Sequence, residues 1–229
     1  MRPRPILDRM EGHTFAGNWL NSRSVVLDCG MNLGKFARRI SARYGCRVIG
    51  IEANPALVRQ NVAAGLECHN YALSGHNGSV KFRVNESHPM NSAIVGSDAV
   101  GDDVIEVQSI RLEDFIRAQG IEQIDVMKLD IEGAEIDVIK DTPAEIVQDI
   151  PQICAEYHVF LDRTQKAAAE ECTSKLRNMG FTDFDFSMNL GNVLFLNRRH
   201  RVPDLLDKAN FTWMKYSSGI RRMITQTHE

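Results

Sequence analysis

Apolar residues follow two alternating rhythms along this chain. Short apolar runs end in an acid or a polar turn, and each leads into a segment whose apolar residues fall three and four apart. Val25-Val26-Leu27-Asp28 is the first run, with Cys29-Gly30-Met31-Asn32-Leu33-Gly34 as the turn and Phe36, Ala37 and Ile40 as the spaced set. That pattern predicts strand, tight turn and a helix to about Tyr44, stopped by Gly45. Val48-Ile49-Gly50-Ile51 is the second run and ends in Glu52. Asn54-Pro55 then opens a helix with proline in its first turn, burying Leu57, Val58 and Val62.

The same rhythm continues. Leu66 to Ser74 reads as a third strand, and Gly75-His76-Asn77-Gly78 as a turn. Residues 79–84 and 104–110 alternate and can pair with each other. A helix follows from Arg111, closed by Gly120. Residues 124–129 form a central strand ending in Asp130, with Gly133 as the turn and Ile136, Val138 and Ile139 in the next helix. Residues 151–160 read as a strand, Lys166 to Asn178 as a helix, and 181–187 with 191–196 as an antiparallel pair joined by Met188-Asn189-Leu190. Strands alternating with helices predict an α/β fold: a Rossmann-like, mostly parallel sheet with helices on both faces and a C-terminal antiparallel hairpin strand.

Residues 24–197 then form one domain. Residues 1–23 are expected to be a loose start and a short helix or cap beside the first strand. Residues 198–229 are a basic extension that packs on the body or on a second subunit, as in a homodimer. The polar, glycine-interrupted stretch 85–103 is long for a structureless loop in a compact domain, which suggests a substrate-side lid.

Composition narrows the partners. The chain has 229 residues and a formal net charge of -3, so no basic excess is available to hold a phosphate backbone. The five cysteines, Cys29, Cys46, Cys68, Cys154 and Cys172, show no metal spacing and read as buried free thiols of a reducing compartment. With no long apolar span and no signal-peptide pattern, the expectation is a soluble, cytoplasmic protein.

The candidate chemistry lies where the first runs end. Glu52 falls about twenty residues after the first glycine, where a nucleotide-binding unit places its ribose ligand. A dinucleotide site needs further glycines and a bare helix N-terminus for a pyrophosphate. Here Asn32 and Lys35 occupy those positions, and Asp28 would repel a phosphate. S-adenosylmethionine carries no phosphate. Asp28 could attract its cationic end, main-chain N–H groups near Gly30 and Asn32 could take its carboxylate, and Glu52 could accept from both ribose hydroxyls. Gly34 shapes the turn, Asn54 follows Glu52, Asn70 could bond the adenine and Ala72 could lie against it.

Four motifs together resemble the FkbM-type methyltransferases: Asp28-Cys-Gly30-Met-Asn32-Leu-Gly34, Glu52-Ala-Asn54-Pro55, Ala72-Leu73-Ser74, and Lys128-Leu-Asp130-Ile-Glu132-Gly133-Ala-Glu135. Glu156-Tyr-His158 completes the pattern, which spans about residues 24–160. The resemblance implies a class I methyltransferase fold and methyl transfer from S-adenosylmethionine, usually to a hydroxyl of a sugar, polyketide or other natural product. Met31 stands where the family often has alanine, which suggests a tighter loop. Asp130, Glu156 and His158 are the candidate catalytic residues, since an alcohol needs a base to become a good nucleophile. The same three residues could instead hold a divalent metal. Glu132 and Glu135 read as helix-capping acids. The competing functions are a nucleic-acid or protein methyltransferase and a non-catalytic cofactor-binding module. Neither an Asn/Asp-Pro-Pro-aromatic motif nor a Pro-Cys pair at Cys154 supports the nucleic-acid reading.

Overall fold

The computed structural model describes residues 1–85, 92–158, 163–187 and 190–226, and side chains from 163, 164 and 217–226 are left aside. Strands β3 (Val25–Cys29), β4 (Arg47–Glu52), β5 (Glu67–Asn70), β10 (Val126–Leu129), β11 (Gln152–Ala155), β12 (Phe181–Asp185) and β13 (Val193–Asn197) form one seven-stranded sheet. Their order is β12-β13-β11-β10-β3-β4-β5. β11, β10, β3, β4 and β5 are mutually parallel, and β13 runs antiparallel to both β11 and β12. This is the predicted class I methyltransferase arrangement, with its antiparallel strand set between β11 and β12.

Successive strand residues point to opposite faces, so a buried strand must be apolar on both. Leu27, Cys29, Ile49 and Ile51 pack with helices α3 (Leu112–Ala118), α4 (Glu135–Asp141), α5 (Ala144–Val147) and α6 (Arg163–Asn178), through Phe115, Val138, Val147 and Leu176. Val26, Val48, Val126 and Cys154 face the other way, onto Phe36 and Ile40 of α1 (Lys35–Tyr44). Helix α2 (Pro55–Ala63) is capped by Asn54, whose side chain accepts from the Ala56 N–H. Its buried face is Leu57 and Asn61, while Val62 is 53% exposed. A polar residue displaced the expected valine because the Asn61 amide donates to the Asn32 carbonyl at 2.7 Å, tying the helix to the glycine loop.

Two further departures from expectation position the site. The stretch 66–74 is not one strand. It breaks at Tyr71, and β6 (Ala72–Leu73) joins a second sheet with β9 (Val104–Ile110), β7 (Gly78–Arg83) and β8 (Ala93–Ile94), in the order β6-β9-β7-β8. β7 and β9 pair antiparallel, as their alternation predicts. The stretch proposed as a lid is divided: residues 86–91 lie outside the described residues, and Ala93–Ile94 pair with Phe82 and Arg83. Met188 and Asn189, placed in the hairpin turn, also lie outside them.

The N-terminal segment is mostly extended, where a loose start and a short helix or cap were expected. It is a β-hairpin of β1 (Leu7–Met10) and β2 (His13–Ala16), followed by one 3-10 turn at Gly17–Trp19. Glu11 and Gly12 join the strands with φ of 46° and 90°, the positive values a two-residue hairpin turn requires. Two buried amides clip β2 to the domain. Gln152 accepts from the Ala16 N–H at 2.7 Å and donates to the Ala16 carbonyl at 3.2 Å. Asn192 accepts from the Thr14 N–H at 3.2 Å and donates to the Thr14 hydroxyl at 2.9 Å. Gln152→Ala strands both Ala16 main-chain groups away from water, so a loss of about 1–3 kcal/mol in unfolding free energy is expected from denaturant titration.

Helix α7 (Leu205–Gln226) packs on the body through Phe211, which sits edge-on to Phe184 at 4.6 Å. Asp204 and Asp207 cap its start reciprocally, each carboxylate accepting from the other's N–H. Among the described residues, no helix is long and apolar enough to cross a membrane. All five cysteines are free thiols, four of them buried.

Candidate active site

Strands β3, β4, β10 and β11 end together, and in an open α/β sheet ligands bind outside those carboxyl ends. A cavity of about 600 Å³ lies there, within the range of small-molecule sites. Gly30, Asn32, Glu52 and Ala72 line it together with Asp130, Glu132, Glu156 and His158. Phe82 and Ile94 of the second sheet, with the neighbouring Tyr71 and Ser92, supply a mostly apolar wall. The three residues chosen for catalysis, Asp130, Glu156 and His158, thus meet in one cavity with half of the residues chosen for the cofactor.

The glycine loop is held by close approach. A Cβ on Gly30 would collide with the Asp130 main-chain oxygen, so the β3 and β10 loops can cross only with glycine at this position. The Gly30 and Met31 N–H groups both donate to the Ile51 carbonyl, at 2.9 and 3.0 Å. Met31 is buried and its side chain fills the space that a Cβ on Gly50 would need. The bulkier residue is accommodated by a glycine in β4.

Glu52 closes the loop. One carboxylate oxygen accepts from the Asn54 N–H and the other from the Asn32 N–H, each at 2.8 Å. Glu52 is 8% exposed, and burial raises its carboxyl above the ordinary range. Asn70 donates to the Glu52 and Ala53 carbonyls at 3.0 and 2.9 Å.

Four predicted cofactor residues do not line the cavity. Asn70 is engaged in the bonds just described, and Asn54 caps α2. Gly34 is the left-handed cap of α1, with φ of 66°. Asp28 is fully buried, 3.0 Å from Lys128 Nζ, so a lysine and not a ligand answers its charge. The proposed main-chain donors are engaged as well: Gly30 N–H on Ile51 and Asn32 N–H on Glu52.

Lys128 organises the second half of the site. Its Nζ lies 3.0 Å from Asp28, 3.3 Å from Asp130 Oδ2 and 2.9 Å from the Gly30 carbonyl. Burial alone would lower its pKa, but the Asp28 and Asp130 charges outweigh that and hold it above the ordinary lysine value. Burial would likewise raise Asp130, but Lys128 holds its carboxyl well below the usual range. Lys128 and Asp130 share one face of the strand end as a pair, the condition their two-residue spacing imposes.

His158 stands beyond β11, which ends at Ala155, and Glu156 extends the ladder by donating its N–H to the Leu129 carbonyl at 2.9 Å. His158 Nε2 lies 3.2 Å from Glu132 Oε2 and 3.7 Å from Asp130 Oδ1, and Nδ1 lies 3.0 Å from Glu135 Oε1. Burial opposes the imidazolium, but the Glu135 hydrogen bond and the three carboxylates push His158 up to about 9. With no ion beside it, these carboxylates favour the imidazolium at neutral pH over the neutral base that its free pKa suggests. Glu132 is pushed up to about 7, mainly by burial. Glu156 is raised by burial and then by Asp130.

A histidine whose folded pKa is raised stabilises the fold fully below its unfolded value, near 6.5, and loses that contribution as pH rises through about 9. His158→Gln is therefore expected to lower unfolding free energy by up to about 3 kcal/mol at pH 6 and by little above pH 9.5 or so. Denaturant titrations at the two pH values check this.

Sequence reasoning missed His13 and misplaced Glu132. His13 is 2% exposed on β2, with Nε2 3.2 Å from Asp130 Oδ2. The signal was present: Met10, His13 and Phe15 fall on one face of a hairpin closed by the Glu11-Gly12 turn. Glu135 does cap its turn, accepting from the Ile131 and Gly133 N–H groups at 2.8 and 3.0 Å. Glu132 instead faces the cavity.

Comparison with known proteins identifies the family and the fold. The model of the Methyltransferase FkbM domain matches residues 28–182. Methyltransferase sdnD of Sordaria araneosa is 25% identical over 163 residues, 55% of this chain and 63% of its own length. The 2-O-methyltransferase NoeI of Sinorhizobium fredii is 29% identical over 135 residues, 50% of this chain and 56% of its own. The chain therefore spans less than two thirds of these curated relatives. The crystal structure of Methyltransferase FkbM from Methylobacillus flagellatus shares the fold, with a TM-score of 0.50 at 14% identity over 77% of this chain and 44% of that one.

Proposed function

The chain belongs to the FkbM methyltransferase domain family, and from that premise we propose that it transfers the methyl group of S-adenosylmethionine to a hydroxyl oxygen of a small-molecule or glycan acceptor. The observation that carries this reading is Glu52. Both its oxygens are fixed by main-chain N–H groups from the two loops that form the cavity rim, and each keeps a lone pair for a ribose hydroxyl. A pyrophosphate has no comparable place, because the Gly30 and Asn32 N–H groups are already engaged and the cavity wall is acidic.

S-adenosylmethionine supplies an electrophilic methyl when bound. The chain's own residues do the remaining work. Ala72 and Tyr71 border the end of the cavity beyond Glu52 and offer the adenine a flat apolar contact. Asp130 and Glu156 line the same cavity, and Asp130 is the carboxylate offered to the cationic part of the nucleoside. Glu156 is the group suited to accept the hydroxyl proton, since its raised pKa makes it a stronger base than a free carboxylate. Asp130 is already committed to Lys128, and His158 is already protonated. The acid-lined mouth, with Glu11, Glu132 and Glu156, opposes a phosphate backbone and so disfavours nucleic-acid acceptors.

The test is transfer of an isotope-labelled methyl group to a panel of hydroxylated sugars, polyketides and oligonucleotides, with calorimetry of S-adenosylmethionine alone. Methyl transfer to oxygen supports the reading. Retention of a nicotinamide dinucleotide by a chain that ignores S-adenosylmethionine at millimolar concentration overturns it.

A further inference from the structure

Two donor triads share Asp130. One is His13, Asp130 and Glu156; the other is Asp130, Glu132 and His158. Within each, one ligand atom per residue lies within 4.8 Å of the others. The second triad also has partners that orient its ligands. Glu135 is 1% exposed, is anchored by the Ile131 and Gly133 N–H groups, and meets His158 Nδ1 at 3.0 Å. That contact turns Nε2 toward Glu132 and Asp130. Metal-binding imidazoles are held in this way, with the second ring nitrogen bonded to a carboxylate. Asp130 is oriented too: Lys128 and His13 both approach Oδ2, leaving Oδ1 toward His158. By contrast, His13 Nδ1 is buried with no hydrogen-bond partner among the described residues, so no carboxylate orients that ring through its second nitrogen.

We infer that Asp130, Glu132 and His158 form a site for one divalent cation, with Glu135 as the residue that positions His158. The charge of the cavity points the same way. Glu11, Glu52, Asp130, Glu132 and Glu156 line it against the single imidazole of His158, while the Lys128 cation is shared with the buried Asp28. A sulfonium nucleoside answers only part of that excess. Two carboxylate oxygens and one imidazole nitrogen, which gives up its proton as the ion binds, suit manganese, iron, magnesium or zinc. Three protein ligands leave coordination positions open to the cavity, as catalytic metal sites do. An acceptor hydroxyl, or a vicinal pair of oxygens, fits those positions, and its proton passes to Glu156 as the oxygen takes the methyl group. Ion binding stands apart from the methyl-transfer reading, and the ion's role toward the acceptor rests on it.

Manganese(II) titrated into the full chain, followed by calorimetry and electron paramagnetic resonance, tests the site. One ion per chain is expected, with the pulsed spectrum showing coupling to one imidazole nitrogen. Glu132→Gln and His158→Gln should each weaken binding more than about tenfold, and Glu135→Gln by about 10- to 100-fold although it touches no ion. The His13→Gln chain should keep the nitrogen coupling. Circular dichroism on each variant confirms folding, and Glu132→Ala on the same loop stands in if Glu132→Gln unfolds. Absence of binding at millimolar manganese overturns the site. So does nitrogen coupling that survives His158→Gln and vanishes in His13→Gln. S-adenosylmethionine affinity measured on the same samples separates the two readings: its survival without manganese binding removes the cation site alone.

Discussion

Glu52→Ala is expected to weaken S-adenosylmethionine binding by at least about 100-fold. A hydrogen bond to a charged group contributes roughly 1.5–3 kcal/mol, and the ribose would lose two. The variant also strips the Asn32 and Asn54 N–H groups of their acceptor, loosening the loops on either side of the cavity. Glu52→Gln separates these effects. One amide oxygen can still accept from one N–H, but the amide NH2 faces the other N–H donor to donor and offers nothing to a ribose hydroxyl that donates. Its affinity should fall nearly as far, while thermal stability falls less than in Glu52→Ala. Calorimetry and melting curves on both variants check the ordering. Near-parental affinity in Glu52→Gln would remove the ribose from this carboxylate.

The part of the site that could be read from residue order alone is the part built locally. Gly30 and Glu52 follow directly from strand ends, and the same is true of Asp130: an apolar run stops, a polar residue follows, and the sheet places all such endings along one edge. Pairing across the sheet was less visible. Asp28 looks like a ligand at its strand end until β10 is laid beside β3, when Lys128 falls in register with it. The Val25–Cys29 run predicts a strand whichever way the Asp28 charge is answered. His13 was hidden for a different reason. Its strand has four residues, and its main-chain partners beyond the hairpin are the side chains of Gln152 and Asn192, distant in the chain. Local pattern carries no trace of such clips. Glu132 and Glu135 show the same limit at finer scale. Both suit a helix start, and only the positive φ of Glu132, 55°, turns one to the cavity while the other caps.

Glu156→Gln is expected to lower turnover by about 10²–10⁴-fold, the usual worth of a positioned base. S-adenosylmethionine affinity should stay within about threefold, because Glu52, Asp130 and the glycine loop are untouched. The pH dependence carries the sharper signature. Burial, and then the Asp130 charge, raise the Glu156 pKa, so the base form is lost on acidification earlier than for a free glutamate. In the parental chain kcat/KM should climb with pH through a midpoint clearly above about 4.3 and then level off. In Glu156→Gln that limb should vanish and leave a flat, low profile. Asp130→Asn behaves differently on the same grounds. It removes a carboxylate that neutralises Lys128 and orients the His13 and His158 rings, so both stability and turnover fall, and the acid limb, where still measurable, shifts toward lower pH as the charge beside Glu156 disappears. Initial rates from pH 5 to 9 on the three chains, with calorimetry for the nucleoside, distinguish the base from its neighbour. A Glu156→Gln chain that keeps the parental acid limb would transfer the base role to another residue of the cavity.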